Sequence, residues 1–197
     1  MPLDHDAESR RRPVKGPFRR LLARREGATA IEFALLALPF FIIVFASIET
    51  FVAFSAEQLF ANANETMARK IRTGIINPTN TTKVAYRQAF CEEIKILMPC
   101  SATEAQTEDK LFIHVESFAS YADITPAVAI VEDNLDTASF QFAPGGKKTI
   151  NIVRAYYRWD IITDLVRPLI SSVKTADGTS RNYLMVATTI VQNEDYP

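Results

Sequence analysis

Three sets of residues have the types and spacing to do chemistry. Glu32 heads an apolar run, Phe33 to Ile48, that holds no charged residue and closes at Glu49. An acid at the start of a greasy span is costly and asks for a functional reason. Cys91 and Cys100 are the only two cysteines, and their separation allows a disulfide across a short loop, two free thiols, or part of a metal site. His114 joined to either cysteine would in principle make a nucleophile–base pair.

Each of these has a plainer reading. Two cysteines alone cannot complete a tetrahedral zinc site, and His114 sits in a strand-like run, so no metal is expected. His114 then reads as a strand residue facing solvent or as a satisfied edge of the core. Glu92-Glu93 are neighbours on a helix, point apart and read as a solvated face. Tyr156, Tyr157 and Trp159 sit at strand spacing and read as packing residues. The chain has no G-x-S-x-G, no H-E-x-x-H and no glycine-rich phosphate loop. These readings predict a protein that is not an enzyme and holds no cofactor.

The elements that must position these groups follow from charge and periodicity. Residues 1–27 carry eight Lys/Arg (Arg10, Arg11, Arg12, Lys15, Arg19, Arg20, Arg24, Arg25) against four acids, a net of about +4. Subtracting these from the chain totals of 22 basic and 23 acidic residues leaves 14 and 19, a net of about −5 over 28–197. The positive-inside bias places the N-terminus in the cytoplasm and the rest beyond the span. The basic tail has no aromatic interleaving beyond Phe18 and abuts a span, so nucleic-acid binding is not expected.

From Glu32 to Glu49 is 17 steps, about 25 Å of helix at ~1.5 Å per residue. Both carboxylates can therefore sit at opposite edges of a hydrocarbon core about 30 Å thick. Pro39 would kink the helix, a defect membrane helices tolerate. If the far side is the periplasm, Cys91 and Cys100 can oxidise to a disulfide worth about 2–3 kcal/mol in a chain-entropy account.

Beyond Ser55 good helix formers continue, with Leu59 or Phe60, Ala63, Met67 and Ile71 in a stripe that seats a folded domain, ending near Gly74 and Asn77-Pro78. A second helix is predicted over 81–97 with Val84, Phe90, Ile94 and Leu97 as its apolar side. Residues 101–110 read as loop. Alternation then predicts strands from Leu111, at 138–143, 148–159 and 182–192, with Pro144-Gly145-Gly146-Lys147 as a hairpin turn. A short helix around 161–170 and a polar loop through Asp177-Gly178 complete the outline.

The predicted fold is α+β: a long N-terminal transmembrane helix continuing into a small antiparallel sheet domain with one or two helices. The expected organisation is a basic cytoplasmic leader (1–27), a transmembrane helix (28–56) and a periplasmic domain (57–197).

The run Gly27-Ala28-Thr29-Ala30-Ile31-Glu32-Phe33, followed by the apolar helix, resembles the cleavage region of type IV prepilin-like proteins. Within that group it is similar to the TadE/TadF-like pseudopilins of tight-adherence (Flp) pili. Phe90-Cys91, Cys100, Phe142-Ala143-Pro144-Gly145, Arg154-Ala155-Tyr156-Tyr157-Arg158-Trp159 and Asn193-Glu194 resemble segments of the larger members. Asp195 departs from the proline expected after Asn193-Glu194.

The resemblance implies cleavage between Gly27 and Ala28 by a prepilin peptidase, with Glu32 and Phe33 serving processing and assembly. It also implies a single-pass, pilin-like chain in a bacterial inner membrane. Its partners would be other pilins or pseudopilins and the pilus assembly platform. Two rivals remain: an uncleaved, signal-anchored ligand-binding or sensor module, and release by signal peptidase at Ala53-Phe54-Ser55 or Ala61-Asn62-Ala63.

Overall fold

The computed structural model describes residues 25–124, 130–131, 134–161, 171–174 and 181–196. Most of the basic leader, most of the predicted 161–170 helix and the loop through Asp177-Gly178 lie outside the described residues. The architecture is α+β, as the periodicity predicts. Helix α1 (Arg25–Arg72) is followed by α2 (Lys83–Ile94), α3 (Ala102–Gln106) and the strands β1 (Leu111–Phe118), β2 (Ile130–Val131), β3 (Asn134–Leu135), β4 (Ile150–Trp159), β5 (Val173–Lys174) and β6 (Arg181–Gln192).

The chain divides into two units, Met1–Phe45 and Ala46–Pro197. In the first, α1 is apolar and solvent-facing, with Phe33, Leu36 and Phe40 each at least 60% exposed. The helix runs through Pro39 and contains one stretch long and apolar enough to cross a membrane. Gly27 lies within the described helix and does not break it. A glycine there costs only about 1 kcal/mol relative to alanine, which the long run of helix formers behind it outweighs.

In the second unit the sheet order is β1-β4-β6-β5, antiparallel throughout. Ala56, Phe60, Ala63, Met67 and Ile71 of α1 pack with Phe90 and Ile94 of α2 onto Ile113, Val115, Val153, Ala155, Tyr157 and Met185. The stripe read from the sequence is thus the seat of the folded unit, with Phe60 rather than Leu59 as its member. Asn64, fully buried, pins α1 to the sheet by donating to Thr189 Oγ1 at 2.9 Å and Val153 O at 3.3 Å.

Alternation on β1 is as predicted, but both faces are covered. Phe112 packs with Tyr156, Leu135, Val173 and Leu184 on the side away from α1. Tyr156 stacks on Phe140 at 4.9 Å while Tyr157 meets Phe60 at 6.2 Å, so the paired tyrosines serve opposite faces.

Three expectations are corrected. Residues 138–143 do not form a hairpin with 148–159. Both edges of β4 are taken by β1 and β6, so the segment reaches only the outer edge of β1, through a parallel bridge between Phe142 and Val115. Residues 101–110 contain α3, capped by Ser101, whose Oγ accepts the Glu104 amide at 3.2 Å. Helix α2 starts after its cap Thr82 and ends at Ile94; it buries Tyr86, Arg87, Phe90, Cys91 and Ile94, leaving Val84 and Leu97 exposed.

Candidate functional site

The anchor segment holds four of the residues singled out by the sequence. Gly27 and Ala28 lie within α1, and Glu32 and Phe33 lie about one turn further on, both exposed. At 3.6 residues per turn, Ala28 and Glu32 fall on the same side of the helix. In the intact chain that position is a peptide nitrogen, and Glu32 makes no ion pair among the described residues. Aromatic rings step along the same unit, Phe40 to Phe41 at 5.5 Å and Phe41 to Phe45 at 6.2 Å. In the second unit, Thr50 and Ser55 turn their hydroxyls back to the carbonyls of Ala46 and Phe51, at 2.8 and 2.9 Å. Polar groups so satisfied need no water, which suits a helix near lipid.

Cys91 and Cys100 meet in the folded unit with Cα atoms 5.2 Å apart, a separation compatible with a disulfide. The loop they close rests on the sheet through Tyr157, whose hydroxyl donates to Pro99 O at 2.8 Å. Among the described residues no group of three His, Cys, Asp or Glu could hold a metal. His114 does not join the cysteines: Cys91 belongs to the core beneath α1, whereas His114 lies on the other face against Phe140, 5.5 Å away.

The imidazole is a satisfied core edge. Its Nδ1 accepts the Gln141 amide at 3.1 Å and its Nε2 faces Glu116 at 3.4 Å. Burial pulls its pKa below the usual histidine value, against the opposing pull of Glu116. Glu92 and Glu93 do point apart, one to Lys95 and the other to Lys70.

Two arrangements were missed from the sequence. Arg87, 1% exposed, donates through Nε to Ala105 O at 3.0 Å and through its terminal nitrogens to the carbonyls of Glu104 and Leu111. It also pairs with Glu104 and Glu108, at 3.2 and 3.3 Å. Glu104 in turn accepts the amides of Asp109, Lys110 and Leu111. Ser101-Ala102-Thr103-Glu104, a capping-box pattern, was the local signal that could have revealed α3 and with it this network.

The second arrangement explains Asn193-Glu194. Asn193 Nδ2 donates to the carbonyls of Gly145 and Gly146 at 3.0 and 2.8 Å, and its amide to Thr149 O at 2.9 Å. The Glu194 amide donates to Arg72 O at 2.9 Å, and Asp195 pairs with Lys148 at 2.6 Å. The Tyr196 ring covers Gly74, whose φ of +77° and lack of a Cβ both matter, because a Cβ would sit 2.5 Å from the ring. The C-terminal segment therefore clamps the end of α1 to the loop before β4.

No curated protein and no solved structure matches the chain. A family model described as TadE-like protein matches residues 27–69, beginning at Gly27 and running through the apolar helix into the part of α1 that seats the folded unit. Over that segment the chain carries a TadE-like domain, the assignment to which the run from Gly27 to Phe33 had pointed.

Proposed function

We propose that the chain is a non-catalytic, membrane-anchored pseudopilin or minor pilin that acts in assembly of a tight-adherence pilus. In this reading residues 1–27 are a cytoplasmic leader, 28–56 cross the inner membrane once, and 57–197 form a periplasmic domain with Cys91 and Cys100 oxidised. A prepilin peptidase removes the leader after Gly27. The observation that carries the reading is a coincidence of positions. The TadE-like match begins at residue 27, where a basic tail gives way to Gly27-Ala28 and then Glu32-Phe33.

The physics of the cut supports each part. A peptidase needs extended backbone at the bond it hydrolyses, so the helix around Gly27 must open. Glycine lowers the cost of opening by about 1 kcal/mol. Loss of the leader removes about four net positive charges, each worth about 2.3 kcal/mol per 100 mV of membrane potential. The new Ala28 ammonium then lies one turn from Glu32, within a helix or across to a neighbouring one. The intermolecular pair would set axial register as subunits stack.

The test is a pair of variants in the native host. Gly27→Leu should block maturation, leaving a species about 3 kDa heavier, given 22.1 kDa over 197 residues. Glu32→Ala should mature normally yet reduce pilus output. Full piliation with Glu32→Ala would remove the role assigned to that carboxylate.

A further inference from the structure

We propose that His114 is an acid-released latch, holding the strap of residues 136–143 against the outer edge of β1 until a proton on its ring lets the strap go. The strap meets that edge through one parallel bridge, between Phe142 and Val115. Gln141 O accepts the Val115 amide and Val115 O accepts the Ala143 amide, both at 2.8 Å. The Gln141 amide then donates to His114 Nδ1 at 3.1 Å, so one of these bonds ends on a group that can titrate. Two rings seat the strap on opposite faces of the sheet. Phe140 stacks on Tyr156 at 4.9 Å and lies 5.5 Å from the imidazole, whereas Phe142 lies 5.0 Å from Tyr86 of α2.

An imidazole nitrogen accepts a hydrogen bond only while it carries no proton. Because Nδ1 accepts the Gln141 amide, the neutral ring keeps its proton on Nε2, which faces Glu116 at 3.4 Å. A second proton can go only to Nδ1. There it turns an acceptor into a donor and sets two N–H groups against each other. Glu116 meets Nε2 in both charge states, so it cannot replace the bond lost at Nδ1.

The surroundings oppose that second proton while the strap is closed. Burial does so most, and Arg154 of β4 and Lys83 at the start of α2 add to it, against the pull of Glu116. Asp136, the one carboxylate of the strap, is turned to the Ala138 amide at 3.0 Å. Tyr156, beneath Phe140, is held above the ordinary tyrosine value by burial and is neutral here. Once the strap lifts, water reaches the ring and its pKa returns to about 6.5. The open form therefore binds the proton more readily than the closed one. Closure is complete above about pH 6.5, and each pH unit from there down to the closed-state pKa favours opening by up to about tenfold.

Opening frees the main chain of Val115 and uncovers Tyr156, which is 1% exposed when the strap is closed. An acid-sensitive strand edge and apolar face thus replace a sealed one. Nearer its start the same edge is sealed without a histidine: Arg87 donates to Leu111 O, and Glu104 accepts the Leu111 amide at 2.9 Å. Beyond the strap, Asn151 Oδ1 accepts the Gly145 amide at 2.7 Å and Asn193 holds the Gly145 carbonyl, so release stops at Ala143-Pro144. The latch lies wholly within the folded unit and works whether or not the leader is cut.

The test is amide exchange at single-residue resolution on the full chain in lipid nanodiscs, corrected for the intrinsic effect of pH. Between pH 7.5 and pH 5.5, protection of the Gln141 and Val115 amides should fall together, by about three- to tenfold. Amides in the middle of β4, at Val153 and Ala155, should change less. The fall should level off at the pH where the His114 ring itself titrates, read by NMR. His114→Asn places a non-titrating amide oxygen where Nδ1 stands and should abolish the fall. Constant protection at the two amides, a plateau far from the ring's own titration, or an undiminished fall in His114→Asn would overturn the inference. An equal fall across β4 would also overturn it, since the whole unit would then be opening. So would a fall at Gln141 with Val115 still protected, because the ring would then turn away while the strap stays.

Discussion

Replacing Arg87 with methionine isolates the buried polar network that ties α2 to α3 and to the start of β1. Methionine retains most of the apolar stem and removes every donor. The guanidinium is 1% exposed and ties α2 to α3 and to the start of β1 through Ala105 O, Glu104 O, Leu111 O and two carboxylates. Burial draws the Arg87 pKa below the ordinary arginine value, while Glu108 and Glu104 oppose that shift and keep the group charged.

Removing one member of a buried pair costs about 3–5 kcal/mol, because its partners keep their desolvation penalty. In Arg87→Met those partners are three carbonyls and Glu104, which its three backbone amides still hold in place. For a domain of about 150 residues each kcal/mol lowers the melting midpoint by about 2–4 °C, so the expected loss is about 6–20 °C. Trp159 is the only tryptophan and lies in β4, so its fluorescence reports the melting of this unit in detergent-solubilised full chain. Arg87→Lys should lose nearly as much, since one ammonium cannot reach acceptors arranged for a planar fork. A loss below about 1 kcal/mol for Arg87→Met would refute the reasoning, placing the pair in the class of solvent-screened contacts.

Other expectations follow from the clamp, the imidazole and the cysteines. Asn193→Ala removes the side-chain donor to the Gly145 carbonyl and leaves the Gly146 carbonyl with Thr149 alone, and should cost about 1–3 kcal/mol in the same melt; an unchanged midpoint would dissolve the clamp. The folded chain holds His114 below its ordinary pKa, so the unfolded chain binds more protons around and below about pH 6.5. Stability should be complete above that value and decline as pH falls through it, and His114→Gln should shrink the difference between midpoints at pH 7 and pH 5. Cys91→Ala with Cys100→Ala should lower stability by about 2–3 kcal/mol if the bond is present, measured against the oxidised parent. An identical midpoint would mean the pair is reduced in the parent.

The sequence was most legible where a pattern is local and uninterrupted. A run from Phe33 to Ile48 without charge can hardly be anything but an apolar helix, and the stripe from Phe60 to Ile71 continues it at helical steps. Strands β1, β4 and β6 were visible as alternation or dense β-branched and aromatic runs. The hairpin at Pro144–Lys147 misled because strand pairing is a competition. Its turn residues are locally persuasive, yet β4 already has two neighbours, and that fact is not written near residue 144.

Arg87, Glu104 and Glu108 do not stand out in the sequence, because one-dimensional pattern cannot tell a solvated arginine from one surrounded by carbonyls. Only the Ser101–Glu104 spacing gave local warning. Asn193-Glu194 stood out as a segment, but its purpose needs the end of α1 and the loop at Gly145 brought together. The residues proposed for processing depend least on tertiary structure, since Gly27, Ala28, Glu32 and Phe33 lie along a single helix.

The most direct measurement of the central claim is the N-terminal sequence of the protein extracted from its native membrane, with and without the prepilin peptidase. The account predicts a chain beginning at Ala28 when the peptidase is present and an intact basic leader when it is absent. A mature protein that keeps residues 1–27 in cells assembling normal pili would contradict it.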